Sequence, residues 1–137
     1  MKVFIDANLL IYLNTLKTPE KRVVYEDFYL KLLSKYKAYT DVLVLDETIY
    51  VSWRKYRVPY ETSIGFIESI VLPFVEILSL GENEYKKATE VLKEHRVKPS
   101  DALHIATMIL NGIQKVASED NEYDDVNEIT RIWIDRI

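Results

Sequence analysis

Short apolar runs alternate with segments of helical periodicity along the chain, and this alternation limits the fold more than any other feature. The runs occupy residues 3–5, 39–45, 74–80, 113–117 and 130–134, and each has the character of a buried strand. Segments with apolar residues every three or four positions separate the first four runs. Strands that alternate with helices form right-handed crossovers and a parallel sheet covered on both faces. The sequence therefore predicts a three-layer α/β/α fold with a mainly parallel sheet of four to five strands.

Length, composition and charge restrict the class of protein. The 137 residues suit one domain, residues 1–137, and the 48% hydrophobic content is that of a globular chain. No apolar run approaches the roughly 18 residues of a membrane span, and Asp6 interrupts the N-terminal apolar segment, so we expect a cytoplasmic protein without a signal peptide. The absence of cysteine excludes disulfides, thiol catalysis and thiolate zinc sites. The net charge of −4 argues against an extended nucleic-acid-binding surface but permits an acidic, metal-loaded site.

Acidic residues follow the predicted strands or open the predicted helices. Asp6 ends the first strand, and Glu47 follows the second strand at the start of a helix. Asp101 begins a helix that is apolar almost all round, and Asp120 follows the fourth strand. These positions share one edge of a parallel sheet, so we expect the four carboxylates to converge there. The alternative for Asp6 and Asn8 is helix capping, since both residue types favour the N-cap position.

Converging carboxylates need a compensating cation. Like charges in close proximity raise one another's pKa and destabilise the fold. With no cysteine and only two histidines in the chain, ligation by oxygen favours hard ions, Mg²⁺ or Mn²⁺. Such a site suits phosphodiester hydrolysis, because a metal lowers the pKa of water and neutralises charge in the transition state.

Four segments carry a family resemblance, and they occur in the order VFIDANLLIY, LVLDETIYV, KPSDALHIATMILNGI and VASEDNEYD. Together they resemble the PIN domain family, specifically its small stand-alone members of the VapC toxin type, over essentially the whole chain. The resemblance implies a metal-dependent ribonuclease that acts as the toxin of a toxin–antitoxin pair. It also implies a homodimer and an antitoxin partner whose tail, often with a basic side chain, covers the acidic groove.

The resemblance assigns roles residue by residue. The implied catalytic residues, which are also the implied ligands of Mg²⁺ or Mn²⁺, are Asp6, Glu47, Asp101 and Asp120. Asn8 is implied as the companion that orders the first acid, and Ser118 matches the hydroxyl residue usual two positions before the fourth. Asp46 is interpreted as the cap of the helix that carries Glu47.

The chain departs from the family pattern at two places. Residue 7 is Ala where Thr or Ser is frequent, so one hydroxyl near the metal is missing. Several acids crowd Asp120, and Asp124 is the alternative candidate for the fourth acid.

Other notable residues have simpler structural interpretations. We interpret His104 as a core histidine with a hydrogen-bond partner and Ser100 as the N-cap of the helix that contains it. The basic run at residues 54–57 could reach RNA phosphates, but a solvated helix face is the favoured interpretation. Trp53 and the tyrosines are assigned to the core or to a dimer interface.

Two other functions compete with the nuclease. One is phosphotransfer through an aspartyl phosphate, although the Asp-x-Asp phosphatase motif continues with Gly-Thr whereas Leu9 follows Asn8 here. The other is a non-catalytic binding module in which the acids serve only the structure.

Overall fold

A five-stranded sheet forms the centre of the protein, whose computed structural model describes residues 1–135. The strands are β1 (Lys2–Ile5), β2 (Lys37–Asp41), β3 (Val75–Leu78), β4 (Lys115–Ala117) and β5 (Thr130–Ile132). The last predicted run, residues 130–134, is thus a strand only up to Ile132. All neighbouring strands pair in parallel, in the order β3-β2-β1-β4-β5. The predicted α/β fold with a parallel sheet is confirmed.

Helices connect these strands. The α-helices are α1 (Ala7–Thr15), α2 (Pro19–Lys35), α3 (Val42–Tyr56), α4 (Tyr60–Phe66), α5 (Glu82–Glu94) and α6 (Pro99–Leu110). A π-helical segment, Ile67–Val71, prolongs α4, and a short 3₁₀ helix, Asn121–Asp125, lies between β4 and β5.

The strand order places β1 in the middle of the sheet. The crossovers from β1 to β2 and from β2 to β3 run in one direction, and the crossover from β3 to β4 runs back past β1. Right-handed connections therefore place α1 to α4 on one face and α5 with α6 on the other. In agreement, α1 packs against α2 and α3, while α5 packs against α6. Covered on both faces, Val3, Phe4 and Ile5 of β1 are fully buried.

The prediction of a strand over residues 39–45 is wrong in its second half. The strand ends at Asp41, and α3 begins at Val42. Asp41 causes this switch, because its Oδ1 accepts a hydrogen bond of 2.9 Å from the backbone N–H of Val44 and so caps the helix. A short apolar run has no periodicity that distinguishes a buried strand from the first turn of a helix.

Two predicted helix caps are also wrong. Asp46 is an exposed residue inside α3 and does not cap it, and Glu47 lies in the second turn of α3 instead of at its start. Ser100 does not cap α6 either, since the N-cap position is occupied by Lys98 and Pro99 takes the first helical position.

The partly buried amide of Asn14 links three helices of one layer. The side-chain nitrogen of Asn14 in α1 donates to the hydroxyl of Ser52 in α3 at 3.0 Å and to that of Ser63 in α4 at 2.8 Å. Both serines are fully buried. The amide therefore fixes how α1, α3 and α4 pack.

We expect Asn14→Ala to lower the free energy of unfolding by about 1–3 kcal/mol, because it leaves two buried hydroxyls without this donor. Urea denaturation followed by circular dichroism measures the effect. Asn83→Ala, at an exposed position of α5, is the matched control and should change stability by less than about 0.5 kcal/mol. Equal effects of the two substitutions would contradict the expectation.

Candidate metal centre

Asp6 lies at the carboxyl end of β1, in the crevice where the sheet's connections diverge. Its Oδ1 accepts a hydrogen bond from the N–H of Ala7 at 2.8 Å, and its Oδ2 accepts one from the hydroxyl of Ser118 at 2.6 Å. Burial raises the pKa of Asp6, against the lowering effect of His104 and of these hydrogen bonds, and the charge of Glu47 raises it further. Asp6 thus caps α1 and also faces the crevice. The interpretation as a helix cap is therefore compatible with the interpretation as a metal ligand.

Ser118 and Asn8 hold the loop that follows β4. The hydroxyl oxygen of Ser118 accepts a hydrogen bond from the N–H of Asp120 at 3.0 Å and from the amide of Asn8 at 3.4 Å. The carbonyl oxygen of Asn8 accepts a hydrogen bond from the N–H of Glu119 at 3.3 Å. The two side chains tie the loop to the end of β1, and this contact brings Asp120 toward Asp6.

Asp101, Asp120 and Glu122 form the acidic cluster of the site. Each offers one oxygen, and the three oxygens lie within 4.8 Å of one another. Asp101, in the first turn of α6, is only 7% exposed. Burial raises the pKa of Asp101 to about 7, and the negative charges of Asp6 and Asp120 add to the rise. Asp6 and Asp120, two of the other predicted acids, thus lie close enough for their charges to act on Asp101.

One oxygen of Asp101 is left without a protein partner. Its Oδ1 lies 3.4 Å from the hydroxyl of the fully buried Tyr123. Among the buried side-chain atoms of residues 1–135, only Asp101 Oδ2 has no hydrogen-bond partner. An unpartnered buried carboxylate oxygen is costly unless a ligand satisfies it.

Glu122 is a candidate ligand that the sequence prediction missed. It stands two residues after Asp120 in the 3₁₀ helix, whose first turn Asp120 caps by accepting from the N–H of Glu122 at 3.0 Å. Lys98 partly neutralises both acids, at 3.5 Å from Glu122 Oε2 and 3.7 Å from Asp120 Oδ2. The available sequence signal was the crowding of acids after Asp120, which does not indicate which one turns toward Asp101.

Asp124, the alternative fourth acid, is engaged elsewhere. Its two oxygens accept hydrogen bonds of 3.1 and 3.2 Å from the guanidinium of Arg131 in β5. This paired geometry makes Asp124 part of the attachment of the loop to the edge strand. Of the two candidates for the fourth acid, Asp120 and not Asp124 lies in the cluster with Asp101.

Glu47 reaches the site from α3. Its side chain is 34% exposed, and its Oε1 lies 3.2 Å from Nε2 of His104. The charge of Glu47 raises the pKa values of Asp6 and Tyr123, so its carboxylate faces the same cleft. Glu47 does not belong to the group of three oxygens around Asp101.

His104 is a fully buried histidine held between two carboxylates. Its Nδ1 lies 2.7 Å from Oδ2 of Asp41, and its ring is 5.5 Å from that of Phe4. Burial lowers the pKa of His104, but the hydrogen bonds to Asp41 and Glu47 together with their charges outweigh burial and raise it to about 10. The ring is therefore protonated, and both N–H groups donate. Asp41 was not predicted, because it fell inside the segment assigned to a strand.

The donor set fits a hard divalent cation. Carboxylate oxygens from β1, α6 and the loop after β4 meet at one edge of the sheet, and one of them lacks a partner in the described chain. Mg²⁺ and Mn²⁺ prefer such oxygen ligands, and a bound cation would offset both the burial and the neighbouring negative charges that raise the pKa of Asp101.

Comparison with known proteins supports this description of the fold. The model of the PIN domain family matches residues 3–129. No curated protein sequence matches the chain.

Several solved structures share the fold at low sequence identity. The sarcin–ricin loop cleaving toxin VapC20 of Mycobacterium tuberculosis is 18% identical, with a TM-score of 0.73 over 91% of this chain and 95% of that one. VapBC of Salmonella typhimurium, solved bound to DNA, is 16% identical, with a TM-score of 0.73 over 98% of both chains. FitAcB of Neisseria gonorrhoeae is 15% identical, with a TM-score of 0.68 over 98% of this chain and 99% of that one.

Within residues 1–135, no helix is both long enough and apolar enough to cross a membrane.

The raised pKa of Asp101 predicts how the stability of the metal-free protein depends on pH. The folded protein keeps a proton that the unfolded chain releases between about pH 4 and pH 7, so Asp101 makes stability fall as the pH rises through that window. Asp101→Asn should flatten this fall and stabilise the metal-free protein at pH 8 by about 1–3 kcal/mol.

Urea denaturation in the presence of a chelator, repeated from pH 4 to pH 8, measures both effects. Asp46→Asn, an exposed neighbour of Glu47, is the control and should follow the wild-type curve. If Asp101→Asn also runs parallel to the wild type, the pKa of Asp101 is not raised in the folded protein.

Proposed function

Because the chain belongs to the PIN domain family, we propose that it is a divalent-metal-dependent endoribonuclease that hydrolyses RNA phosphodiester bonds. The observation that carries the proposal is the acidic cluster of Asp101, Asp120 and Glu122 beside Asp6, with one buried oxygen of Asp101 left unpartnered. A site of this composition binds a hard cation and has no cysteine or second buried histidine for another kind of chemistry.

Each acid has a role in this proposal. The residues that would hold Mg²⁺ or Mn²⁺ are Asp6, Glu47, Asp101 and Asp120, with Glu122 as a further candidate. When bound, the cation lowers the pKa of water and neutralises charge on the phosphodiester as it is cleaved. The hydroxyl of Ser118 and the amide of Asn8 hold Asp6 and the loop that carries Asp120 next to each other.

We assign the nuclease to a toxin–antitoxin pair in the cytoplasm. The similar structures include a toxin–antitoxin complex from Klebsiella pneumoniae and the toxin VapC20 of Mycobacterium tuberculosis. An apolar cleft of about 450 Å³ beside α2, lined in part by the exposed side chains of Leu30 and Phe74, offers a surface for a protein partner. Exposed Trp53, Tyr56 and Tyr60 on α3 and α4 support a homodimer interface.

The proposal predicts RNA cleavage that depends on both the metal and Asp6. We expect the wild type to cut RNA with Mg²⁺ or Mn²⁺, and Asp6→Asn to reduce the rate by about 100-fold or more, since it removes a ligand charge from the site. A fluorescent RNA assay with and without chelator measures this, and Asp46→Asn is the control of equal charge change.

Equal cleavage by the wild type and Asp6→Asn would refute the assignment. Binding of Mn²⁺ without cleavage of RNA or DNA would instead favour the non-catalytic binding module.

The toxin role predicts growth arrest. Induced expression of the wild-type chain in a bacterial host should stop growth, whereas Asp101→Asn, which we expect to fold, should not. Co-expression of a neighbouring reading frame that encodes a small DNA-binding protein with a basic tail should restore growth. Arrest of equal strength with Asp101→Asn would show that toxicity does not come from the acidic site.

A further inference from the structure

The chain Asp41–His104–Glu47 connects the interior to the edge of the acidic site. His104 Nδ1 lies 2.7 Å from Asp41 Oδ2, and Nε2 lies 3.2 Å from Glu47 Oε1. Asp41 and His104 have no exposed side-chain surface, while Glu47 is one-third exposed. The three residues therefore form a path from the fully buried Asp41 to Glu47 at the rim of the cleft.

The inner end of this chain is fixed by the backbone. Asp41 uses its second oxygen, Oδ1, to cap α3 through the N–H of Val44 at 2.9 Å. His104 stands on α6, three residues after Asp101, and packs at 5.5 Å against the ring of Phe4 in the central strand. The ring of His104 thus contacts the start of α3 and the central strand β1, and it belongs to the same helix as Asp101. A side chain buried in this way has a single orientation.

The outer end depends on that orientation. Glu47 lies in the second turn of α3, and its flexible side chain must extend from the helix toward the cleft that contains Asp6. Among the described residues, the side chain that forms a hydrogen bond with Glu47 is His104, which contacts Oε1. This leaves Oε2 available to a ligand. A glutamate without such a contact would distribute over several rotamers.

We propose that His104 is a positioning residue that holds the carboxylate of Glu47 toward the candidate metal centre, with Asp41 as its anchor. The proposal rests on the proposed function, because it assigns Glu47 to the metal. It differs from the interpretation of His104 as a core histidine, since a purely structural histidine would affect folding and leave metal affinity unchanged in any variant that folds. Carboxylates that ligate a metal are themselves hydrogen-bonded to neighbouring groups, and these outer partners orient them.

Two amide substitutions separate the ends of the chain. The substitution His104→Asn places an amide where Nδ1 stands and keeps a donor for Asp41, while it loses the donor to Glu47. The substitution His104→Gln extends the amide to where Nε2 stands and keeps a donor for Glu47. The pair therefore tests the outer contact at nearly constant burial.

The experiment measures Mn²⁺ affinity by calorimetry and by electron paramagnetic resonance. We expect His104→Asn and Glu47→Gln each to weaken Mn²⁺ binding by about 10–100-fold. The double variant should be no weaker than Glu47→Gln alone, because His104 acts only through Glu47. His104→Gln should retain more of the affinity than His104→Asn. Circular dichroism and thermal unfolding confirm the fold of every variant, and Asp46→Asn is the control.

Unchanged Mn²⁺ affinity in a folded His104→Asn variant would overturn the proposal, and so would losses that multiply in the double variant. If His104→Asn does not fold, nitrogen-15 spectra of the histidine ring provide the test in the wild type. Added Mg²⁺ should then shift the Nε2 signal of His104 in the wild type but not in Glu47→Gln. A signal that does not move in the wild type overturns the proposal.

The outcomes for the two proposals are distinguishable. Mn²⁺ binding that depends on His104 in a protein that leaves RNA intact would overturn only the nuclease. Metal-dependent RNA cleavage with an unchanged Mn²⁺ affinity in His104→Asn would overturn only the positioning role. A wild type that binds no Mn²⁺ would overturn both.

Discussion

Repulsion between buried carboxylates at the carboxyl edge of the sheet is the constraint on which the site depends. Asp6 and Asp101 are almost completely buried, and in addition to this burial the negative charge of Asp6 raises the pKa of Asp101. The parallel sheet imposes this proximity, because it directs the end of β1 and the start of α6 to the same edge. A fold that contains this electrostatic repulsion is less stable without a bound cation than with one.

The surrounding residues limit the repulsion without removing it. Each acid of the site receives a hydrogen bond or a positive charge from a different element of the fold, and this neighbour also restricts its orientation. The pairs are Ser118 with Asp6, Tyr123 with Asp101, Lys98 with Asp120, and His104 with Glu47. Among the described residues, none donates a hydrogen bond to Oδ2 of Asp101, so this buried oxygen is the part of the site that the protein itself leaves unsatisfied.

Sequence patterns predicted the parts of the structure that local chemistry controls. Asp6 directly follows a buried strand and Asp101 opens an apolar helix, so both were placed from their immediate neighbours. The second strand was overextended, because Val42 and the apolar residues after it suit a strand or a helix equally. The capping bond of Asp41 decides between the two, and it forms only when the chain turns there. As a result Asp41 was overlooked and Asp46 received the wrong role.

The sequence alone determined the α/β class, the family and the two acids at its most regular junctions, because strand and helix periodicity depend on residues close together in the chain. The tertiary structure decided which acids meet and what holds them. Asp6 and Ser118 are 112 residues apart, and Asp41 and His104 are 63 residues apart. Glu122 and Asp124 are near neighbours in sequence, yet one turns toward Asp101 and the other pairs with Arg131. Such choices depend on packing across the sheet, and no local pattern of residues encodes them.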